Sequence, residues 1–102
     1  MKIFRNPEAM WREEDASKED ALKGLEKGED VSGIGTSIIL FHGEMHSLNL
    51  LGTEIWKLCD GKTFDEIVSE LEDSFDVEKE VLEKDVNSFV ANLKGLGLVY
   101  EE

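Results

Sequence analysis

SIILFHGEMHSLNLLGTEIWKLCDG, residues Ser37–Gly61, contains the strongest structural signals in this chain. Ile38–Phe41 is a continuous apolar run with β-branched residues, which is typical of a strand covered on both faces. A glycine-containing turn follows at 42–44, because glycine accepts positive φ without steric cost. The stretch therefore begins as a β-hairpin, and its second strand is Met45–Leu48.

The second strand leads directly into a helix. Side chains alternate along a strand, so His46 and Leu48 share one face while Met45 and Ser47 share the other. Asn49 follows at once, and asparagine is among the residues preferred at a helix N-cap. We therefore expect the returning strand and the next helix to be joined without a loop.

Three helices are predicted after the hairpin. The first ends at Gly61, which we interpret as its C′ glycine. The segment Thr63–Glu66, TFDE, has the pattern of a capping box and opens the second helix. Asp76 is placed to cap the third helix. The apolar residues of that helix recur at four, three and four positions, which is the helical period, and they are Leu82, Val86, Phe89 and Leu93.

The N-terminal part supplies one strand and a long connection. Met10–Arg12 predicts a short strand, which would complete a three-stranded antiparallel sheet with the hairpin. Residues 15–36 are rich in charge and glycine, with one helical turn supported around Ala21–Leu25, and we predict a flexible loop that is either functional or disordered. The predicted fold is α+β and winged helix-turn-helix-like, an N-terminal three-stranded antiparallel sheet followed by three helices, in a single domain over residues 1–102.

Charge argues against the usual use of a winged helix. The chain carries 24 acidic and 11 basic residues, for a formal net charge of -13. B-form DNA carries one phosphate charge per about 1.7 Å of axis and would repel such a surface. The first fifty positions contain six basic and ten acidic residues, and the remaining positions contain five basic and fourteen acidic residues, so neither half is basic. We expect no nucleic-acid partner.

No arrangement of residues predicts catalysis. Cys59 is the only cysteine, which excludes an intramolecular disulfide and a CxxC motif. His42 and His46 lie four apart across a turn, and no nearby cysteine completes a metal-ligand set. Gly33–Gly35 lacks the further glycine and the Lys-Ser/Thr pair of a phosphate-binding loop. We expect a protein that is not an enzyme, with no metal and no cofactor.

The sequence also predicts the compartment. Met1–Arg5 is charged but no apolar run follows it, which argues against a signal peptide. No stretch approaches the roughly 18 apolar residues of a membrane span. We expect a soluble, cytoplasmic protein that does not bind membranes.

A set of short motifs spread over residues 38–98 occurs together in one known family. They are Leu48-Asn49, Ile55-Trp56, Cys59-Asp60-Gly61, Thr63, Glu66-Ile67, Leu71, Phe75, Asp85-Val86, Phe89 and Leu93. In this combination the chain resembles the PqqD family, the prototype of the recognition elements for ribosomally synthesised, post-translationally modified peptides (RiPPs). The departure is the segment Asp15–Gly35, which is longer than the corresponding loop of compact relatives.

The resemblance implies a peptide chaperone without chemistry of its own. Members bind the leader segment of a precursor peptide and deliver it to a modifying enzyme, often a radical S-adenosylmethionine (SAM) enzyme of the SPASM type. The resemblance does not fix the pathway, since the fold serves many peptide products besides the quinone cofactor PQQ. Whether the chain is a monomer or a homodimer stays open.

Physical reasoning indicates where a leader peptide would bind. An exposed sheet edge offers unpaired N–H and C=O groups, and an extended peptide can add to it by β-augmentation. We predict a groove between Met45–Leu48 and the third helix. The candidate peptide-binding residues are Met45, His46, Ser47, Leu48, Val81, Asp85, Phe89 and Val90.

Two of these candidates have a structural alternative. Phe89 is equally suited to the core. Asp85 falls inside the apolar arc of its helix, where it either meets a cation or amide of the peptide or lies exposed at the margin.

Two other functions are compatible with the same sequence. One is a winged-helix regulator that binds DNA or a transcription partner, which the charge disfavours. The other is a small acidic adaptor whose long loop docks on a protein without any precursor peptide.

Overall fold

The computed structural model describes the whole chain, Met1–Glu102. In order, the elements are β1 (Lys2–Arg5), β2 (Met10–Glu13), α1 (Asp15–Glu26), β3 (Ser37–Phe41), β4 (Glu44–Leu48), α2 (Leu50–Leu58), β5 (Asp60–Thr63), α3 (Phe64–Ser74), α4 (Lys79–Gly95) and β6 (Val99–Glu101). The α+β class is confirmed, but the chain has two sheets and four helices where the sequence predicted one sheet and three helices.

The chain divides into two compact units, and the division falls within α2. One unit comprises Pro7–Glu54, and the other comprises Met1–Asn6 with Ile55–Glu102. None of the four helices has the length and apolar composition that crossing a membrane requires.

The unit Pro7–Glu54 contains the predicted sheet. Its three strands are antiparallel in the order β2-β3-β4, so β3 is central and β4 lies at an edge. His42 and Gly43 form the turn between β3 and β4 with φ of 50° and 80°. Positive φ at both central residues is the signature of a type I′ turn, whose twist matches that of the two strands. The predicted hairpin is confirmed.

The central strand is covered on one face only, which corrects the prediction of a strand buried on both faces. Ile39 and Phe41 are buried, whereas Leu40 is 43% exposed. A continuous apolar run does not distinguish a strand between two layers from one that leaves an apolar face open. The outer face of this sheet therefore carries apolar side chains in contact with solvent.

Helix α1 occupies the first half of the segment that was predicted to be a flexible loop. Its residues Asp15–Glu26 are mostly good helix formers, and Ala21 is fully buried. The helix ends in a Schellman motif: Gly28 has φ of 75°, its N–H donates to the Leu25 carbonyl, and the Glu29 N–H donates to the Gly24 carbonyl. Residues 27–36 form neither helix nor strand, and their mobility stays a prediction.

The other unit contains a second sheet that the sequence did not predict. It is antiparallel in the order β5-β1-β6. Gly61 lies in β5 with φ of 80°, at the point where the pairing with β1 shifts register. An added Cβ would lie 3.3 Å from the Phe4 ring. Gly61 is therefore a bulge glycine rather than the C′ glycine of the preceding helix.

Hydrogen bonds at the helix ends show which of the predicted caps form. The N–H of Gly52 donates to the Asn49 side chain at 2.9 Å, which confirms that N-cap. The capping box is also confirmed, since Thr63 and Glu66 exchange hydrogen bonds at 3.2 and 3.0 Å. Helix α4 has Glu78 at its N-cap position without a side-chain bond, so the prediction of Asp76 as its cap is wrong. Its buried face comprises Leu82, Val86, Val90 and Leu93.

Candidate functional site

Strand β4 presents an unpaired edge. It bonds to β3 on one side and is the last strand of its sheet on the other. In a hairpin closed by a two-residue turn, the pair that flanks the turn exchanges both backbone hydrogen bonds. That pair is Phe41 and Glu44. Alternation then directs the backbone groups of Met45 and Ser47 away from β3, toward the open edge.

The side chains of β4 divide between two faces as the sequence predicted. Met45 is 70% exposed and Ser47 is exposed, while Leu48 is buried. His46 is half-buried on the same face as Leu48, with its Nε2 3.7 Å from the Glu44 carboxylate. The four predicted β4 residues therefore offer backbone groups at Met45 and Ser47 and an accessible apolar side chain at Met45.

A buried hydroxyl cluster supports the C-terminal end of β4. The hydroxyls of Thr36 and Ser37 lie 2.8 and 2.7 Å from the Thr53 hydroxyl, and all three residues are fully buried. The N–H of Thr36 also donates to the Leu48 carbonyl at 2.7 Å. Because these hydroxyls bond to one another and to the Leu48 carbonyl, they hold the end of the edge strand against the start of α2.

The connection before β3 contacts this end of the strand, which the sequence did not reveal. The Asn49 amide donates to the Ser32 carbonyl at 3.2 Å, and the Ser32 N–H donates to the Asp30 carboxylate at 3.0 Å. Hydrogen bonds from Ser32 hold the pKa of Asp30 below its ordinary value. A Cβ added at Gly35 would collide with the Ser47 hydroxyl. The glycine therefore lets the chain pass close to Ser47.

The four candidates on α4 do not share one environment. Val81 is 47% exposed, Asp85 is exposed and Phe89 is half-buried. These three recur every fourth residue and lie along one side of the helix. Val90 is only 5% exposed and belongs to the buried face. Because β4 and α4 belong to different units, a groove lined by both stays a prediction.

The structure contains no side-chain cluster that could hold a metal ion, and its one cysteine is buried. No three side chains of the His, Cys, Asp and Glu types lie together as metal ligands would. Burial raises the pKa of the Cys59 thiol to about 12, and the thiol donates to the Ile55 carbonyl at 3.2 Å. A neutral, buried thiol is a poor nucleophile. The open edge of β4 offers backbone groups that an added strand could bond to.

Comparison with known families decides the classification. The family model for "Coenzyme PQQ synthesis protein D (PqqD)" matches residues 17–99, most of the chain. The chain belongs to the PqqD family. The resemblance to this family is therefore confirmed, and the match extends back into α1. No curated protein matches the sequence significantly.

Solved structures with the PqqD fold include peptide complexes. One is TbiB1 in complex with the TbiA(beta) leader peptide, at 20% identity and a TM-score of 0.70, covering 100% of both chains. Another is lasso peptide synthetase B1 complexed with the leader peptide, at 20% identity and a TM-score of 0.69, covering 99% of this chain and 100% of that one.

The third is the solution NMR structure of the PqqD truncation of Methylobacterium extorquens PqqCD, described as a functional and stand-alone RiPP recognition element. It is 15% identical with a TM-score of 0.67, covering 97% of this chain and 88% of that one. At these identities the likeness establishes a shared fold.

Proposed function

We propose that this PqqD-family chain captures the leader segment of a ribosomally made precursor peptide and presents it to a modifying enzyme. The leader adds to the sheet as a fourth strand beside β4. The observation that carries the proposal is the unpaired edge of β4, where Met45 and Ser47 direct their backbone groups outward. Two fold relatives in complex with leader peptides support it.

In this proposal the backbone provides affinity and the flanking side chains provide selectivity. Backbone carbonyls of an antiparallel peptide strand accept hydrogen bonds from the N–H groups of Met45 and Ser47. Every second side chain of that strand lies beside Met45 on the outer face of the sheet. His46 lies on the opposite face, half-buried, and restricts the size of the side chain beside it. Leu48 is buried and contributes through the backbone only.

The exposed side of α4 is the second part of the proposed site. Val81 and Phe89 supply apolar surface, and Asp85 supplies a carboxylate for a cation or amide of the leader. Val90 supports the helix from the core. The winged helix-turn-helix arrangement, which would bring this helix to β4, is part of the same proposal.

The proposed role includes no catalysis by this chain. Modification of the peptide falls to the partner enzyme, for which a radical SAM protein of the SPASM type is our proposal, and the site of action is the cytoplasm. The formal charge of -13 favours a leader with basic residues and disfavours DNA.

Peptide titration tests the proposal directly. The leader of the precursor peptide encoded in the same gene cluster is titrated calorimetrically, and amide shifts of this chain are recorded by NMR. We expect saturable binding, with shifts concentrated at Met45–Leu48 and Val81–Phe89. Saturable binding with shifts confined to the β5-β1-β6 sheet would refute the β4 site. An absence of binding by a folded chain would favour the acidic adaptor.

A further inference from the structure

The outer face of the β2-β3-β4 sheet carries a second open surface. Met10, Leu40 and Met45 are paired neighbours in the register and form one row across the three strands. They are 68%, 43% and 70% exposed. Together with Ile38, Trp11 and Arg12 they line a shallow depression. We call the three residues the outer row.

A leader peptide at β4 cannot cover the outer row. Neighbouring strands lie about 4.8 Å apart, so an added strand is about 10 Å from β3 and about 14 Å from β2. Its side chains reach Met45 on β4, but Met10 on β2 lies beyond them. The proposed peptide therefore leaves most of the row exposed to solvent.

A second copy of the chain is also a poor occupant. Each copy carries a formal charge of -13, and two such bodies repel at close approach. The depression itself is lined by no carboxylate, and its one charged residue is Arg12, which pairs with Glu14 at 3.2 Å. The surface is therefore an apolar, carboxylate-free area on a strongly acidic protein.

We infer that the outer row is a docking surface for a folded partner protein whose contact area is apolar at its centre and basic around it. Given the proposed function, on which this inference rests, that partner is the enzyme that modifies the captured peptide. Three observations support this occupant: the formal charge of -13, which attracts a basic partner, the position of Met45 in both the outer row and β4, and the distance of Met10 from a peptide at β4. Two of the three residues of the outer row are methionine, whose flexible thioether side chain adapts to an irregular partner surface.

The arrangement separates two binding tasks on one small sheet. The β4 edge holds the peptide through its backbone, and the outer face holds the enzyme through side chains. Because Met45 borders both, an enzyme docked on the outer row lies beside the bound leader, and this proximity raises the local concentration of the peptide at the enzyme.

The test is a comparison of two charge-matched variants. Met10→Glu places a carboxylate in the outer row at the strand farthest from β4, and Leu22→Glu adds the same charge at a 43%-exposed leucine of α1. Binding of the modifying enzyme encoded in the same gene cluster, and of the leader peptide, is measured separately by calorimetry. Met10→Ala, which adds no charge, is measured alongside.

We expect Met10→Glu to weaken enzyme binding by about tenfold or more, because it buries a carboxylate against an apolar contact area. Peptide binding changes less than about twofold in both variants, and Leu22→Glu leaves enzyme binding within about twofold of the original. Met10→Ala should weaken enzyme binding more than Leu22→Glu does and less than Met10→Glu does. Unchanged enzyme binding by Met10→Glu overturns the inference, and so does a dimer in sedimentation that Met10→Glu dissociates.

The two proposals fail in different ways. If the chain binds the leader but Met10→Glu does not alter enzyme binding, the docking surface is wrong and the peptide-capture function stands. If Met10→Glu weakens enzyme binding but the chain binds no leader, the docking surface stands and the peptide-capture function is wrong.

Discussion

Proline at Met45 or Ser47 is the sharpest perturbation of the proposed peptide site. Proline has no N–H, and at these positions the missing donor is one that points away from β3. The hairpin keeps its own ladder, because proline is tolerated on the free side of an edge strand. The substitution therefore removes a bond to the peptide while leaving the hydrogen bonds of the folded chain in place.

The size of the effect follows from the lost hydrogen bond. Burying a peptide carbonyl without its donor costs about 1–3 kcal/mol, which corresponds to about 5- to 150-fold in the dissociation constant. The proline ring also projects toward the added strand and prevents close approach. We expect each variant to bind the leader at least tenfold more weakly, and the double variant to show no measurable binding.

Calorimetry with the leader peptide measures the effect, and two controls isolate its cause. Met45→Ala keeps the N–H and loses only the side chain, so it should weaken binding less than Met45→Pro. Glu101→Pro removes an outward N–H from β6, the edge strand of the other sheet, where Lys2 and Glu102 exchange backbone bonds. That variant should bind normally. Equal affinity of Met45→Pro, Ser47→Pro and the original chain, with folding intact, would refute edge-strand capture.

Three further predictions concern the scaffold. Thr53→Val leaves two buried hydroxyls without their partner and should lower the free energy of unfolding in urea by about 2 kcal/mol. Thr63→Ala removes the side-chain hydrogen bond of the capping box but keeps the backbone N–H of residue 63, which donates to the Glu66 carboxylate. The loss of the N-cap should lower stability by about 1 kcal/mol, and the pKa of Glu66 should rise only part of the way toward its ordinary value in an NMR titration, because the backbone hydrogen bond is the larger of the two that lower it. Because the folded pKa of Glu66 is depressed, its stabilising contribution is present above its ordinary pKa of 4.5 and is lost as the pH falls through the folded value. Cys59 should not react with a thiol reagent at pH 8 while the chain is folded. Because burial raises its pKa from 9.0 to about 12, the unfolded chain loses the thiol proton first as the pH rises. The free energy of unfolding should therefore fall as the pH rises from 9 to 12, and it should fall less in Cys59→Ala.

The elements that the sequence predicted correctly are those with local signals. The hairpin follows from a glycine turn between two apolar runs, and α3 follows from the capping box that opens at Thr63. Each of these signals lies within a few residues of the feature it specifies. The N-cap at Asn49 belongs to the same class.

The elements that the sequence missed depend on distant partners. The strand Lys2–Arg5 forms because it lies between β5 and β6, which begin more than fifty positions later. This strand has four residues and one buried side chain, Ile3, so its sequence shows no alternation of apolar and polar residues that would predict a strand. Helix α1 is mostly exposed, and its one buried residue is Ala21, so its hydrophobic pattern is weak although its residues favour helix.

The sequence predicted the strand that forms the candidate site, but not the segments and surfaces next to that strand. Strand alternation correctly separated Met45 and Ser47 from Leu48, and burial then distinguishes Val90, a core residue, from the exposed Val81. The close approach of Gly35 to Ser47 left no signal, because it joins two segments through an irregular connection. The open outer face was missed because an apolar strand does not reveal which of its faces is covered.

An open edge and an apolar face on the same sheet would ordinarily favour aggregation. Two features of this chain oppose that outcome. The buried hydroxyl cluster at Thr53 and the type I′ turn hold β4 in one register, so the edge is preorganised rather than frayed. The formal charge of -13 opposes the association of like copies and would favour the basic peptide or enzyme of the two proposals. The acidity that argues against DNA binding is thus compatible with a strand edge that stays exposed.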